Sequence, residues 1–289
     1  MIPEPKKQFS KLADEGRIGR WTNAQSQVAW PAFGEDELDF LIESDGASLG
    51  HYRFMKQGVT IDPNLMKLLD AEDRLIPERV NLLKNQGITI IASRLEFKLT
   101  SVRNLAQQLQ AATGCYVRAV GIASFGSVCG MPRHFDHVDV FVLQTVGEKR
   151  WRFFGDPIRG AGVARKIKEE PEEQSASLNM LKGSQLFVPA GIFHQCDPAQ
   201  LSFHIAFNLK WPCALDLLGL QYEPEKSYSY ALLEPIRWFA QRDRLSAIVA
   251  RFGPLLEEYG YSGNLEADLR DWPARFERAF AFRGWEQGR

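Results

Sequence analysis

The stretch Met131–Phe153, MPRHFDHVDVFVLQTVGEKRWRF, places two of the chain's five histidines around an aspartate at the head of an alternating apolar run. In an extended chain, residues two apart face the same side. His134 and Asp136 therefore project together, Phe135 points away, and the same parity continues through Val138, Val140 and Val142. A polar pair at the mouth of a valine face reads either as a strand edge meeting solvent or as half of a metal site, because a cation compensates a partly buried carboxylate. A third ligand has to come from His51, His137, His194 or His204. His137 faces the opposite side from His134 and reads as a surface residue, while His51 is isolated and reads as structural. In GSQLFVPAGIFHQCD (183–197) a Pro-Ala-Gly turn reverses the chain, so His194 is expected to begin a strand running back along residues 184–189. In a closed antiparallel barrel such a strand can lie beside the one carrying His134. Two histidines and one carboxylate on one side of a metal suit Fe(II) and leave positions open for a bidentate ligand and dioxygen. Zinc accepts the same donors.

Outward from that stretch, residues 115–210 alternate in short segments punctuated by Gly and Pro, the pattern of an antiparallel barrel or sandwich. The last segment, LSFHIAFNL (201–209), puts Ser202, His204 and Asn208 on one face and Leu201, Phe203, Ile205 and Phe207 on the other. The apolar set predicts core against helices, and the polar set predicts a lining of the barrel interior. His204 taken alone reads equally well as a hydrogen-bonded core histidine. Residues 164–177 read as a charged surface loop.

Upstream, residues 1–33 read as an extended arm, 34–44 as a helix with an acidic first turn, and 51–61 as strand-like. Residues 76–87 read as a helix with Pro77 at its first position and Gly87 past its end. A β-branched strand follows at 88–93, then a helix at 100–114 capped by Thr100 or Ser101 and ended by Gly114, then a strand at 115–125. Downstream of Pro212 the texture is helical. Ile236, Phe239, Leu245, Ile248, Val249 and Phe252, and then Leu269, Trp272, Phe276 and Phe280, recur at helical spacing. These faces predict packing on the barrel or on a second subunit. The division is thus an N-terminal region 1–114, a β core 115–211 and a helical region 212–289, with no Gly/Ser-rich linker between them.

Composition excludes several classes. Of the 289 residues, 45% are hydrophobic and 25% charged, as in an ordinary globular protein with a substantial core. A formal net charge of -1 gives no field toward nucleic acid or anionic membrane. No secretory signal or membrane-spanning run is evident, and a cytoplasmic location is expected. The four cysteines form no CxxC pair, and Cys115 and Cys129 read as small buried hydrophobes.

The ordered combination His134, Asp136, Gln144, Gly147, Lys149, Trp151, Gly183, Pro189, Gly191 and His194 resembles the Jumonji C type of 2-oxoglutarate-dependent oxygenases, nearest to the ribosomal-protein hydroxylase branch. The likeness covers roughly residues 115–210. It implies an α+β fold with a double-stranded β-helix core, jelly-roll and cupin-like, flanked by N-terminal and C-terminal helices. It implies Fe(II) on His134, Asp136 and His194, with 2-oxoglutarate and O2 as cosubstrates. Lys149 falls where these enzymes keep the cation for the distal carboxylate of 2-oxoglutarate. Arg150 and Arg152, of different position on the same strand, are the fallback. Several relatives carry an asparagine fourteen positions before the first histidine, where this chain has Val120. Ser124, Ser127 and Ser202 are candidates for supplying that polarity, with His204 and Asn208 expected near the cosubstrate or the substrate.

The expected reaction is hydroxylation of an unactivated C–H bond, on a peptide or protein side chain first and on a free amino acid or natural-product intermediate second. A metal-binding cupin without redox work is the alternative of another class, and a zinc hydrolase ranks last. A homodimer through the C-terminal helices is expected from the resemblance.

Overall fold

A computed structural model describes residues 12, 17–21, 30–44, 49–158, 171–218, 236 and 242–274. Eleven strands are found among them: β1 (Gly19–Trp21), β2 (Tyr52–Lys56), β3 (Val59–Ile61), β4 (Thr89–Ser93), β5 (Tyr116–Phe125), β6 (Asp139–Val146), β7 (Glu148–Phe154), β8 (Gln174–Leu181), β9 (Gln185–Val188), β10 (Phe193–Pro198) and β11 (Leu201–Lys210). The described helices are α1 (Glu35–Ser44), α2 (Pro77–Lys84), α3 (Leu95–Lys98), α4 (Thr100–Thr113), α5 (Ala214–Leu217), α6 (Arg242–Glu258) and α7 (Leu265–Arg270).

Two sheets form. The large one runs β1-β9-β6-β11-β5-β4-β2-β3 and the small one β10-β7-β8. Every pairing is antiparallel. This is the two-sheet layout of a jelly-roll, cupin-like core. The alternation of β11 decides what each face meets. Phe203, Ile205, Phe207 and Leu209 join the main core with Leu38, Leu83, Val102 and Leu109 of the helices, whereas Ser202 and His204 turn toward the small sheet. A second core lies between the sheets, where Val140, Val142, Leu186 and Val188 meet Trp151, Phe153 and Met180.

The chain crosses from the large sheet to the small one through a single residue between β6 and β7. Gly147 has φ 64°, and a Cβ there would sit 2.1 Å from Leu201 O. Only glycine accepts both the left-handed conformation and the contact. The crossing is what delivers Lys149, two residues on, to the inward face.

Several expectations change. Residues 51–61 are a hairpin and not one strand, because Gln57 and Gly58 both take positive φ, as a two-residue hairpin turn requires. The N-terminal arm contributes β1, paired with β9, and buries Phe33. The cap of α4 is Leu99 with no side-chain hydrogen bond, so neither Thr100 nor Ser101 serves. Gln174–Ser177, read as loop, opens β8, while residues 159–170 lie outside the described residues. Leu201 is 40% exposed, at the open start of β11. Ile236, Ile248, Phe252, Leu269 and Trp272 are buried in the core of this chain. Phe239, Phe276, Phe280 and the side chain of Leu245 lie outside the described residues.

Candidate metal centre and its adjoining chamber

His134 and Asp136 do not sit in a strand. Their segment precedes β6, and it is held by backbone: His134 N donates to His194 O at 3.1 Å, His194 N donates to His134 O at 2.7 Å, and Gly191 N donates to Asp136 O at 2.9 Å. His194 is the second residue of β10, which pairs with β7 rather than running back along β9 as the turn suggested. The turn instead passes the chain from the large sheet to the small one. The result is the same convergence by another route. Donor atoms of His134, Asp136 and His194 all lie within 4.8 Å of one another, and His194 Nε2 is 3.6 Å from Asp136 Oδ2.

Both imidazoles are oriented by the main chain. His134 Nδ1 lies 2.9 Å from Pro132 O, and His194 Nδ1 lies 3.0 Å from Ile192 O. A carbonyl only accepts, so Nδ1 carries the proton in each ring and Nε2 keeps its lone pair. Backbone-held Nδ1–H groups of this kind fix the tautomer a metal ligand needs. Burial holds the His194 pKa below its ordinary value, Asp136 works against that, and His134 reinforces it. Three neighbouring donors with free lone pairs, one of them a carboxylate, could hold a divalent ion. His137 is exposed, its ring set edge-to-face against Phe135 and outside this cluster.

On the inward face beside the donors lies Lys149, which is 1% exposed. Its Nζ donates to His204 Nδ1 at 2.9 Å and to Ile122 O at 3.3 Å. Neither partner is charged, and burial pulls the Lys149 pKa down to about 7, with Cys196 and Cys129 acting in the opposite direction. Burial also holds His204 well below its ordinary value, with Lys149 and His194 adding to the effect. His204 is therefore neutral, accepts at Nδ1 and carries its proton on Nε2. The ring of Trp151 spans the space between the two histidines, 5.3 Å from His194 and 5.6 Å from His204. Three buried polar atoms in this region, Ser202 Oγ, Trp151 Nε1 and Gln144 Oε1, have no hydrogen-bond partner among the described residues. Orphaned buried groups need a partner. A buried amine without a carboxylate, beside a hydroxyl and an indole N–H without acceptors, has the chemistry of an anion chamber, and Gln144 Oε1, itself an acceptor, adds nothing to it.

Of the residues read from sequence, Lys149, Ser202 and His204 are thus brought together. Asn208 shares their face, opposite Val140 and Arg118, but lies four residues beyond His204, about 13 Å along the strand and toward the mouth. Ser124 opposes Ser202 and is bonded to Thr89, and Ser127 is exposed. Arg150 and Arg152 face outward: Arg150 donates to Ser177 Oγ, and Arg152 forms a two-point ion pair with Asp197. That leaves Lys149 as the cation of the chamber.

Two contributors escaped the sequence reading. Cys196 shares the inward face with His194, and its thiol stays protonated because burial pushes it well up against the pull of Lys149. Asp139, 1% exposed, accepts from Ala190 N and from Trp211 Nε1, each at 2.9 Å, and so ties β6 to the turn that carries His194. A second aspartate three residues after Asp136 was its only sequence signal. Asp139→Asn keeps one acceptor and turns an amide donor onto a buried N–H, at a cost of about 2–3 kcal/mol. The expected outcome is a lower melting temperature together with about 10-fold weaker Co(II) binding, the range seen when groups behind a ligand are altered. A lowered melt with unchanged Co(II) affinity would restrict Asp139 to stability alone.

Comparison with known proteins agrees with this layout. Residues 94–217 match the family model described as the JmjC domain. Ribosomal oxygenase 2 of Rattus norvegicus is 37% identical over 85 residues, 28% of this chain and 18% of that protein. The bifunctional lysine-specific demethylase and histidyl-hydroxylase NO66 of Drosophila pseudoobscura pseudoobscura is 27% identical over 161 residues, 51% of this chain and 16% of that protein. The chain thus spans under a fifth of the length of these two relatives. Among solved structures, the ribosomal oxygenase YcfD of Escherichia coli superposes with a TM-score of 0.55 at 13% identity, covering 93% of this chain and 70% of that one. Its complex with cobalt and succinic acid gives a TM-score of 0.52 at 14% identity over 88% of this chain and 66% of that one. At such identities the superpositions speak for the fold. Sheet order, converged donors and the match of residues 94–217 to the JmjC domain model coincide on the same residues.

Proposed function

We propose that this protein is an Fe(II)- and 2-oxoglutarate-dependent dioxygenase that hydroxylates an unactivated C–H bond of a peptide or protein side chain. The observation that carries the reading is Lys149, a fully buried amine with only neutral acceptors among the described residues, on the inward face beside two histidines and an aspartate. A metal-binding cupin without redox work gives no reason to bury that amine, and neither does a zinc hydrolase. The relatives fit: YcfD has been solved with cobalt and succinic acid, and NO66 is named a histidyl-hydroxylase.

His134, Asp136 and His194 would hold the iron through Nε2, a carboxylate oxygen and Nε2. Bound there, the metal with its 2-oxo acid would supply the activation of O2 that no side chain provides. The residues of the chain do the rest. Lys149, charged once a carboxylate arrives, anchors the distal end of 2-oxoglutarate by a charge-assisted hydrogen bond. Neutral His204 aims Lys149 by accepting at Nδ1, while Ser202 Oγ and Trp151 Nε1 are placed to donate to the same anion. The valines of β6 and Phe153 keep water from the chamber walls. The four free cysteines go with a reducing, cytoplasmic setting. None of the described helices is long and apolar enough to cross a membrane. A homodimer would have to draw on residues other than the buried apolar positions of α6 and α7.

The test is anaerobic addition of Fe(II) and 2-oxoglutarate. A weak visible charge-transfer band is expected, followed on aeration by slow succinate release without substrate. Metal uptake with neither band nor succinate would leave the redox-silent cupin as the better description.

A further inference from the structure

We infer that the side chain oxidised by this protein is aliphatic, because among the described residues the centre of the wall beside the metal donors is built of apolar side chains. The inference rests on the proposed oxygenase reading and names its substrate class. Strand register defines the wall. Ile122 opposes both His204 and Ile91, and Val120 opposes Ala206, so these residues share the face that looks toward the small sheet. Met55, Ile91 and Ile122 pack as one cluster with Val120, Met131 and Ala206 against them. One contact and one chain link relate this wall to the site: Lys149 Nζ donates to Ile122 O, and Met131 precedes His134 by three residues on the same segment.

Inside this wall, Val120, Ala206 and Met131 are only half-buried, which leaves apolar surface open on the donor side. Polar side chains of the same face stand at its outer edge, where Ser93 opposes Val120 and Asn208 opposes Arg118. A peptide main chain passing over that rim finds hydrogen-bonding groups, while the side chain it inserts meets Val120, Ile122 and Met131. An imidazole there would strand a donor or acceptor, and a guanidinium would bury a charge against methyl groups with Arg118 and Arg53 on the same face. A leucine, isoleucine or valine loses nothing and gains the contact.

The experiment uses the full chain with Fe(II), 2-oxoglutarate and O2, and peptide pools with randomised flanks around a fixed Leu, Ile, Val, His, Arg or Lys. Mass spectrometry reads oxygen insertion at the fixed residue. Binding of N-acetyl-leucinamide and N-acetyl-histidinamide to the Zn(II)- and 2-oxoglutarate-loaded protein, followed by ligand-observed NMR, gives a readout independent of turnover. The expected result is at least about 10-fold more oxidation in the aliphatic pools and tighter binding of the leucine probe, the discrimination an apolar pocket achieves. In Val120→Asn, with folding checked by its melt, the probe preference should move toward histidine by about 10-fold. Oxidation of the His, Arg or Lys pool at equal or higher level overturns the inference, and so does succinate release with no pool oxidised. Absence of any succinate instead overturns the oxygenase reading itself, and the probe-binding preference then decides the character of the wall separately.

Discussion

Lys149→Met is expected to lose 2-oxoglutarate binding by about 10²–10³-fold while making the ligand-free protein more stable. Both effects have one cause. The amine is buried with His204 Nδ1 and Ile122 O as its hydrogen-bond partners among the described residues, and its pKa falls from 10.5 to about 7. A shift of that size corresponds to a burial cost on the order of 5 kcal/mol in the charged form. Methionine has a similar shape and removes the cost, although it strands His204 Nδ1 at about 1–3 kcal/mol. A net gain of about 2–4 kcal/mol follows. The same substitution deprives the distal carboxylate of the one buried cation beside it among the described residues, and breaking a buried ion pair costs about 3–5 kcal/mol.

The pH dependence has a definite sign. Between pH 7 and 10.5 the unfolded chain holds a proton on Lys149 that the folded chain has released. Stability from this group therefore rises with pH across that window, and the penalty is fully present below pH 7. Cys196 and Cys129, the titratable thiols nearest to it, stay protonated through most of the range because burial pushes both pKa values up. Urea denaturation at pH 6.5 and pH 9.5 should show the rise in the wild type and its loss in the variant, and calorimetry on Zn(II)-loaded protein should show the lost 2-oxoglutarate binding. A variant that binds 2-oxoglutarate normally would remove Lys149 from the cosubstrate site.

Asp136→Ala and His134→Ala are expected to abolish turnover and to weaken Co(II) binding by at least about 10³-fold, well beyond the 10- to 100-fold effects of altering groups behind a ligand. Asp136 supplies the only carboxylate of the cluster, and each histidine presents an Nε2 lone pair fixed by a backbone carbonyl. Two remaining donors do not hold a divalent ion against water. His134 and Asp136 are half-buried on a segment outside the sheets, so their loss should leave the melting temperature nearly unchanged. His194 is 3% exposed, and truncating it also opens a cavity beside Trp151. Its variant should lose stability as well as metal. Retained Co(II) affinity in both His134→Ala and Asp136→Ala would refute the metal centre.

Sequence alone determined a good deal of this protein. The alternation of β11 and β6 assigned their faces, since a period of two is local geometry. Gly114 announced the end of a helix, and its backbone there is left-handed. The order of histidine, aspartate, lysine and histidine was enough to point to the resemblance and to nominate the donors. Tertiary structure decided what local periodicity cannot carry. His134 and Asp136 converge although they lie outside any strand, because three backbone hydrogen bonds to residues 191–194 hold them. His194 reaches them from a strand of the small sheet, and nothing in its neighbours specifies which sheet a strand joins after a turn. Asn208 has the parity of His204 at a different depth, a distinction that exists only once registers are set. The depression of the Lys149 pKa, the orphaned Ser202 and Trp151 atoms and the apolar wall around Ile122 are properties of enclosure. Enclosure depends on contacts between residues far apart in the chain, and those contacts appear only when the two sheets close on each other.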